Sequence, residues 1–216
     1  MVSSRTTLTL LVGLALFPAS VAYANKATVT GKVKADGNWK PAVVYIEKLA
    51  GPSINLVERP KLTQKNTQFL PTVLVVLQGQ TIDFPNEDKF YHNVFSASDG
   101  NEFDLGLYRG GVSKAMQMKA PGEVDIYCNI HPDMAAKVLV LQNELFTKVN
   151  DDGTYVLPNV PYGNYTLVAW TPHHTPEKKK IEVKADKPAT ADFALKARDE
   201  ATSHLNKDGQ PYGRYK

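Results

Sequence analysis

The chain contains a single cysteine, and the stretch around it constrains the fold and the chemistry more than any other. Cys128 lies in PGEVDIYCNIHPDMAAKVLVL (121–141), with His131 three residues later and Met134 three residues beyond that. A thiolate, an imidazole and a thioether on one tight turn suit copper, because soft sulfur favours Cu(I) and imidazole also serves Cu(II). The turn is therefore a candidate metal-binding loop.

One more nitrogen ligand is needed, and the chain supplies a candidate in FPNEDKFYHNVFS (84–96), after a strand-like run at 72–84. The copper hypothesis therefore requires four side chains to meet in space: His92, Cys128, His131 and Met134. A weaker candidate for a second metal is the histidine pair at 173–174, for which a solvated loop is the favoured alternative.

The first 24 residues are typical of a secretory signal. Arg5 provides a short basic start, an apolar segment follows at 8–17, and Ala22 and Ala24 stand at the two positions that a signal peptidase inspects. No later run reaches the roughly 18 apolar residues that a membrane helix requires. We therefore expect a periplasmic protein without a membrane span.

A lone thiol in an oxidising compartment is a liability unless it is buried, paired between chains or held by a metal. Cys128 has three interpretations: a small buried hydrophobe, a cross-link in a dimer, or a metal ligand. The fixed spacing of His131 and Met134 favours the metal. The formal charge of +3 is small and the basic residues are scattered among acids, so nothing indicates nucleic-acid binding.

The rest of the chain shows short strands separated by turn signals and no helical period, which predicts an all-β protein. Alternating segments occur at 27–34 and 41–48, dense β structure at 68–141, and four further strands at 144–183. Residues 51–64 show no period and are predicted to be a connection. The polar tail, 197–216, is predicted to be disordered apart from a short helix near 199–204.

Several spaced motifs resemble those of cupredoxins, the type 1 copper electron carriers. They are GQTIDFPNED (79–88), HNVF (92–95) and PGEVDIYCNIHPDM (121–134), and the resemblance covers about residues 65–142. The short C-x2-H-x2-M loop, with proline directly after the histidine, is similar to that of the amicyanins. The resemblance implies a Greek-key β-sandwich that holds one type 1 copper ion.

The resemblance also implies a role for each residue of the site. His92, Cys128 and His131 would form a trigonal plane around the copper, with Met134 on the axis. Asn93 would tie the strand of His92 to the cysteine loop, and Pro132 would stiffen that loop because it lacks a backbone N–H.

The flanking segments resemble two halves of a carboxypeptidase-regulatory or transthyretin-like sandwich. They are TVTGKVKADGNWKPAVVYIE (28–47) and FTKVNDDGTYVLPNVPYGNYTLVAW (146–170). Each half has too few strands to bury a core. We therefore predict one split sandwich, 26–50 plus 143–196, filled by Trp39 and Trp170, with the cupredoxin at 65–142 inserted between its strands. The alternative is a cupredoxin with an N-terminal extension and a separate C-terminal domain.

The functional expectation is a one-electron carrier rather than an enzyme, because a site closed by four ligands leaves no position for substrate. His131 is the expected electron exit, with a dehydrogenase as donor or a cytochrome as acceptor. Asp133 stands where an apolar residue is expected beside that exit, which favours a basic or polar partner. The alternatives are a protein that stores or delivers copper, and a structural β protein in which Cys128 is merely buried.

Overall fold

The structure is a computed structural model that describes residues 25–37, 39–49, 59–185, 187–198 and 204–212. The predicted secretory signal, most of the predicted connection and all but the last residue of the predicted helix lie outside these ranges. None of the described segments is a helix of the length and apolar character that a membrane crossing requires.

Short strands connected by turns account for the secondary structure of the described residues. In chain order the strands are β1 (Lys26–Ala35), β2 (Val43–Glu47), β3 (Thr63–Lys65), β4 (Gln68–Leu70), β5 (Val73–Leu77), β6 (Thr81–Pro85), β7 (His92–Ser96), β8 (Phe103–Tyr108), β9 (Ser113–Gln117), β10 (Gly122–Tyr127), β11 (Ala135–Leu141), β12 (Phe146–Lys148), β13 (Thr154–Pro161), β14 (Gly163–Trp170), β15 (His174–Thr175), β16 (Glu177–Val183), β17 (Ala189–Thr190) and β18 (Phe193–Ala197).

The strands pack as two β-sandwiches, which confirms the predicted all-β fold class. In the central sandwich (59–141), a sheet of order β5-β11-β10-β7-β8 faces the two-stranded sheets β3-β4 and β6-β9 across one apolar core. In the split sandwich (26–47 and 146–197), the sheet β13-β1-β18-β15, with β17 beside β1, faces the sheet β12-β2-β14-β16.

Strands from both ends of the chain share the split sandwich. β1 pairs antiparallel with β13 from Lys26↔Pro161 to Lys32↔Thr154, and β2 lies between β12 and β14. The N-terminal strands therefore complete the sheets of the C-terminal strands, and the chain between them forms the central sandwich.

The predicted connection at 51–64 extends too far. Leu62 is fully buried in the core of the central sandwich, and its backbone N–H donates to the carbonyl of Asp83 over 2.9 Å. The Asp83 N–H in turn donates to the carbonyl of Pro60 over 2.9 Å. A single buried leucine among polar residues gives no periodic signal, so the sequence did not show that this segment is already part of the sandwich.

A third apolar layer joins the two sandwiches, and β11 contributes to it. Alternate side chains of this strand point into the central core and into the layer between the sandwiches, so the strand is buried on both faces. The side chains at the centre of this layer are Val43, Leu77, Leu139, Leu141 and Trp170. Trp170 therefore fills the contact between the sandwiches, and the prediction that it fills the split sandwich itself is wrong. Trp39 is only half-buried.

The edge of this layer carries a charged network centred on Glu123 of β10. Its carboxylate accepts hydrogen bonds from Trp170 Nε1 (2.7 Å), Lys137 Nζ (2.6 Å) and Arg198 Nη2 (2.9 and 3.1 Å). Burial alone would raise the pKa of Glu123, but the hydrogen bonds from Lys137 and Trp170 and the two positive charges outweigh it and lower the pKa. The network connects the split sandwich to the strand that leads into Cys128.

We expect Glu123→Gln to lower the free energy of unfolding at neutral pH by about 1–3 kcal/mol, because Arg198 loses its half-buried counter-charge and Lys137 keeps only that of Asp125. The pKa of Glu123 is lowered in the folded state, so its stabilisation is complete above the ordinary value of 4.5 and is lost as the pH falls through the lowered pKa. Urea unfolding of wild type and variant should therefore differ at neutral pH and converge in acid.

The matched control is Glu102→Gln, which changes an exposed carboxyl of the central sandwich. This variant should leave the urea unfolding curve unchanged both at neutral pH and in acid. If E123Q lowered the free energy of unfolding by the same amount in neutral and in acid solution, the electrostatic account would be contradicted.

Candidate metal centre

The loop between β10 and β11 carries three of the four predicted ligands. Cys128 continues the inward alternation of β10 after Val124 and Ile126 and is fully buried. Its backbone N–H donates to the carbonyl of Met134 (3.2 Å), and the Met134 N–H donates to the carbonyl of His131 (3.0 Å). These two bonds fold the loop back on itself and place the buried Met134 beside Cys128.

The fourth predicted ligand, His92, is the first residue of β7, which neighbours β10 in the same sheet through the pair Phe95↔Tyr127. The preceding loop (86–91) approaches Gly110 so closely that a Cβ there would lie 1.9 Å from the carbonyl oxygen of Asp88. Only glycine fits at this position without moving the loop. The sheet and the tight loop together place the His92 ring, fully buried, over the cysteine loop.

The structure brings the two imidazoles and the thiol together. The Nδ1 atoms of His92 and His131 are 3.1 Å apart, and Cys128 Sγ lies 3.5 Å from His131 Nδ1 and 4.0 Å from His92 Nδ1. A metal held in a trigonal plane by two nitrogens at about 2.0 Å and one thiolate at about 2.3 Å keeps its donors about 3.5 to 3.7 Å apart. The three donors therefore fit one ion after shifts of about half an ångström.

A residue that the sequence analysis did not identify, Asp88, orients the His92 ring. Its Oδ2 lies 2.8 Å from His92 Nε2, and its carboxylate also accepts the backbone N–H groups of Asn66 (2.7 Å) and Thr67 (3.0 Å). Burial would raise the pKa of Asp88, but these bonds together lower it. With the proton of His92 on Nε2, toward the carboxylate, the lone pair of Nδ1 points at the cluster, as metal binding requires.

His131 is the half-buried member of the cluster. The pKa of His131 is lowered mainly by burial and further by the neighbouring His92, while the charge of Asp88 acts to raise it. A lowered pKa favours the neutral ring, which is the form that ligates metals. The ring of Phe90 makes edge contacts with both imidazoles, at centroid distances of 5.1 Å to His92 and 5.9 Å to His131.

Asn93 connects the strand of His92 to the loop of Cys128. Its Oδ1 accepts the backbone N–H of Asn129 over 3.2 Å, and its Nδ2 donates to Asp104 Oδ1 over 2.7 Å. The amide is buried and held at both ends, so it fixes the separation between the two parts of the cluster. Pro132, the other predicted supporting residue, is exposed on the loop between His131 and Met134.

Residues 204–212 of the polar tail are ordered against this loop, and the prediction of disorder is wrong for them. Tyr212 donates its hydroxyl to the carbonyl of Cys128 (2.8 Å), and His204 Nε2 donates to the carbonyl of Pro132 (2.7 Å). These partners are more than 70 residues away in sequence. A local pattern therefore could not reveal them.

The second histidine pair does not join the cluster. His174 is buried, and its two ring nitrogens lie 3.0 Å from the carbonyl of Pro172 and 2.9 Å from that of Asp36. The predicted solvated loop is therefore wrong for His174, which is a structural residue of the split sandwich. His173 is exposed.

Comparison with known proteins gives one family match and several partial structural likenesses. A carboxypeptidase regulatory-like domain matches residues 132–196, which confirms the resemblance expected for the C-terminal half of the split sandwich. The match begins in the ligand loop at residue 132 and includes β11 of the central sandwich. No curated protein matches the chain.

Similar solved structures include cupredoxins. Amicyanin from Paracoccus versutus is 22% identical with a TM-score of 0.35, and the match covers 39% of this chain and 82% of that one. A purple cupredoxin from Nitrosopumilus maritimus is 21% identical with a TM-score of 0.33, over 37% of this chain and 95% of that one. A copper-containing nitrite reductase from Thermus scotoductus SA-01 is 19% identical with a TM-score of 0.39, and the match covers 51% of this chain and 28% of that one. The assignment of the site rests on its own geometry.

We expect Asp88→Asn to weaken copper binding about 10- to 100-fold, as is usual when the partner of a ligating histidine is lost. The amide cannot supply the negative charge that holds the His92 proton on Nε2. Competition with a chelator of known copper affinity measures the change.

The neighbouring Glu87→Gln is the matched control, because Glu87 is exposed and pairs only across the surface with Lys65 (3.0 Å). It should bind copper as wild type does. If D88N and E87Q had the same affinity, Asp88 would have no part in orienting His92.

Proposed function

We propose that the protein is a periplasmic one-electron carrier with a single type 1 copper ion held by His92, Cys128, His131 and Met134. The observation that carries the proposal is the convergence of His92 Nδ1, Cys128 Sγ and His131 Nδ1, which all lie within 4.8 Å of one another. Two imidazoles and a thiolate, with a methionine beside them, are the donor set of blue-copper sites.

The residues around the donors favour electron exchange. Copper, when bound, supplies the Cu(II)/Cu(I) couple. Asp88 holds the His92 ring, and Asn93 ties Asn129, the residue after Cys128, to β7. Because the ligands are fixed by these bonds and by the buried core, they have little freedom to follow either oxidation state, so the reorganisation that opposes electron exchange stays small.

His131 is the proposed exit for the electron, because it is the ligand ring that reaches the surface. Phe90, whose ring contacts that of His131, and the next residue, Tyr91, expose 48% and 57% of their surface, and the exposed Asp133 lies two residues after His131. A partner that presents an apolar patch flanked by a basic residue would complement this mixed surface.

Burial of the ligands favours a carrier over a protein that delivers copper. His92 and Cys128 have no exposed surface, and Met134 has 1%. Transfer of the metal to another protein requires access to the ligands, whereas electron exchange requires access only to the edge of one ring. The same burial leaves no room for a substrate at the cluster, which supports a carrier rather than an enzyme.

Addition of Cu(II) to the purified apo-protein tests the proposal. An intense visible absorption band from the thiolate, together with a narrow hyperfine splitting in the electron paramagnetic resonance spectrum, is the expected result. A colourless site that binds only Cu(I) would instead support storage or delivery. Failure to bind copper stoichiometrically would leave a structural β protein.

Cys128→Ser should abolish the visible band while the protein still folds, because a hydroxyl cannot supply the thiolate charge transfer and serine is close in volume to cysteine. Absorption after copper addition and far-ultraviolet circular dichroism measure the two properties. Retention of the band in the variant would show that the thiol is not a ligand.

Met134→Leu should keep the visible band but raise the reduction potential. The leucine fills the buried space without donating electron density, and loss of that donation disfavours Cu(II) more than Cu(I). Redox titration of the copper-loaded protein measures the shift. Met116→Leu, on β9 of the same sandwich, is the control, and an unchanged potential in M134L would exclude Met134 as an axial ligand.

A further inference from the structure

We propose that the C-terminal segment, His204–Tyr212, positions the ligand loop and tunes the copper site through the hydroxyl of Tyr212. The copper part of this inference rests on the function proposed above. The segment comes after the last strand of the split sandwich in the chain, yet it donates hydrogen bonds to the loop between β10 and β11 of the central sandwich.

Three hydrogen bonds join the segment to the loop. Tyr212 donates to the carbonyl of Cys128 (2.8 Å), His204 Nε2 donates to the carbonyl of Pro132 (2.7 Å), and the backbone N–H of Lys207 donates to Asn129 Oδ1 (3.0 Å). The bonds fall on both sides of His131. They hold the loop from outside, whereas Asn93 holds the same Asn129 from inside through its backbone N–H (3.2 Å).

Aromatic contacts fix the segment itself. The His204 ring stacks on Tyr127, the residue before Cys128, with centroids 3.7 Å apart and planes at 14°. The Tyr212 ring meets the His204 ring edge-on, with centroids 5.1 Å apart and planes at 85°. A turn closed by Asn206, whose carbonyl accepts the N–H of Gly209 (3.0 Å), brings the two aromatic residues together. These contacts fix the position of the Tyr212 hydroxyl.

Arg198, the last described residue before the segment, is held by both sandwiches. Arg198 follows β18 and donates to Glu123 of β10, and its backbone N–H donates to the carbonyl of His173 over 2.8 Å. Arg198 thus ties the end of the split sandwich to β10, the strand that leads into the ligand loop.

The Tyr212 hydroxyl acts on the copper through Cys128. An O–H that donates to the carbonyl of the ligating cysteine turns the positive end of its dipole toward the site, which favours the more negative, reduced form. Hydrogen bonds around a ligating sulfur are one of the means by which proteins set a potential. Tyr212→Phe removes the hydroxyl and keeps the ring, so it isolates this effect from the packing of the segment.

The test compares full-length wild type with Tyr212→Phe, using copper as the probe. The variant should have a lower reduction potential and release Cu(I) to a chelator about two- to tenfold faster, as expected for the loss of one hydrogen bond. Tyr162→Phe, a partly exposed tyrosine of the split sandwich, is the matched control and should match wild type in both properties.

Hydrogen exchange of the apo-protein gives a second readout that needs no metal. In His204→Ala the stack on Tyr127 is lost, and the backbone N–H groups of residues 128–131 and 133–134 should exchange faster while those of β14 do not change. Faster exchange with normal global stability supports the positioning role, and unchanged exchange overturns it.

The two proposals fail in different ways. If wild type shows the blue band but Y212F matches Y162F in potential and in copper release, the positioning role is overturned and the carrier function stands. If wild type does not bind copper, the proposed function fails, and hydrogen exchange of the loop alone decides whether the segment positions it.

Discussion

The burial of β11 on both faces is the constraint on which the rest of the structure depends. β11 has the core of the central sandwich on one side and the layer around Trp170 on the other, and β10 pairs with it from Gly122 to Tyr127. Strands packed on two sides cannot shift in register without exposing apolar side chains. The loop between β10 and β11 therefore begins and ends at fixed points, and His92 on the neighbouring β7 is fixed against it.

Polar contacts fix the orientation and spacing of the side chains that the sheet brings together. Asp88 sets the orientation of His92, Asn93 sets the distance between β7 and the loop, and the C-terminal segment holds the loop from outside. Each of these residues is itself held by a second partner. The cluster thus has its geometry before a metal arrives, and a site built in advance suits a carrier whose ligands should not move when the electron does.

The sequence predicts those features that depend on local pattern. The alternation that ends at Cys128, the spacing of His131 and Met134, and the histidine that ends the loop after the strand-like run at 72–84 identify the ligand loop and three of the donors that converge. The role of Asp88 was not predicted, because its contact with His92 depends on the path of a loop whose sequence has no period. The location of Trp170 also required the structure, since alternation shows that a face is buried but not which sandwich covers it. The contacts of Tyr212 join residues far apart in sequence and leave no local signal at all.

The central claim is that one copper ion is bound jointly by the early histidine and the late loop. X-ray absorption at the copper edge of the loaded, full-length protein measures this most directly. The account predicts one short copper–sulfur distance and two copper–nitrogen distances, with one nitrogen contribution lost in His92→Ala. A copper environment of oxygen and nitrogen atoms without sulfur, or one that is unchanged in His92→Ala, would contradict it.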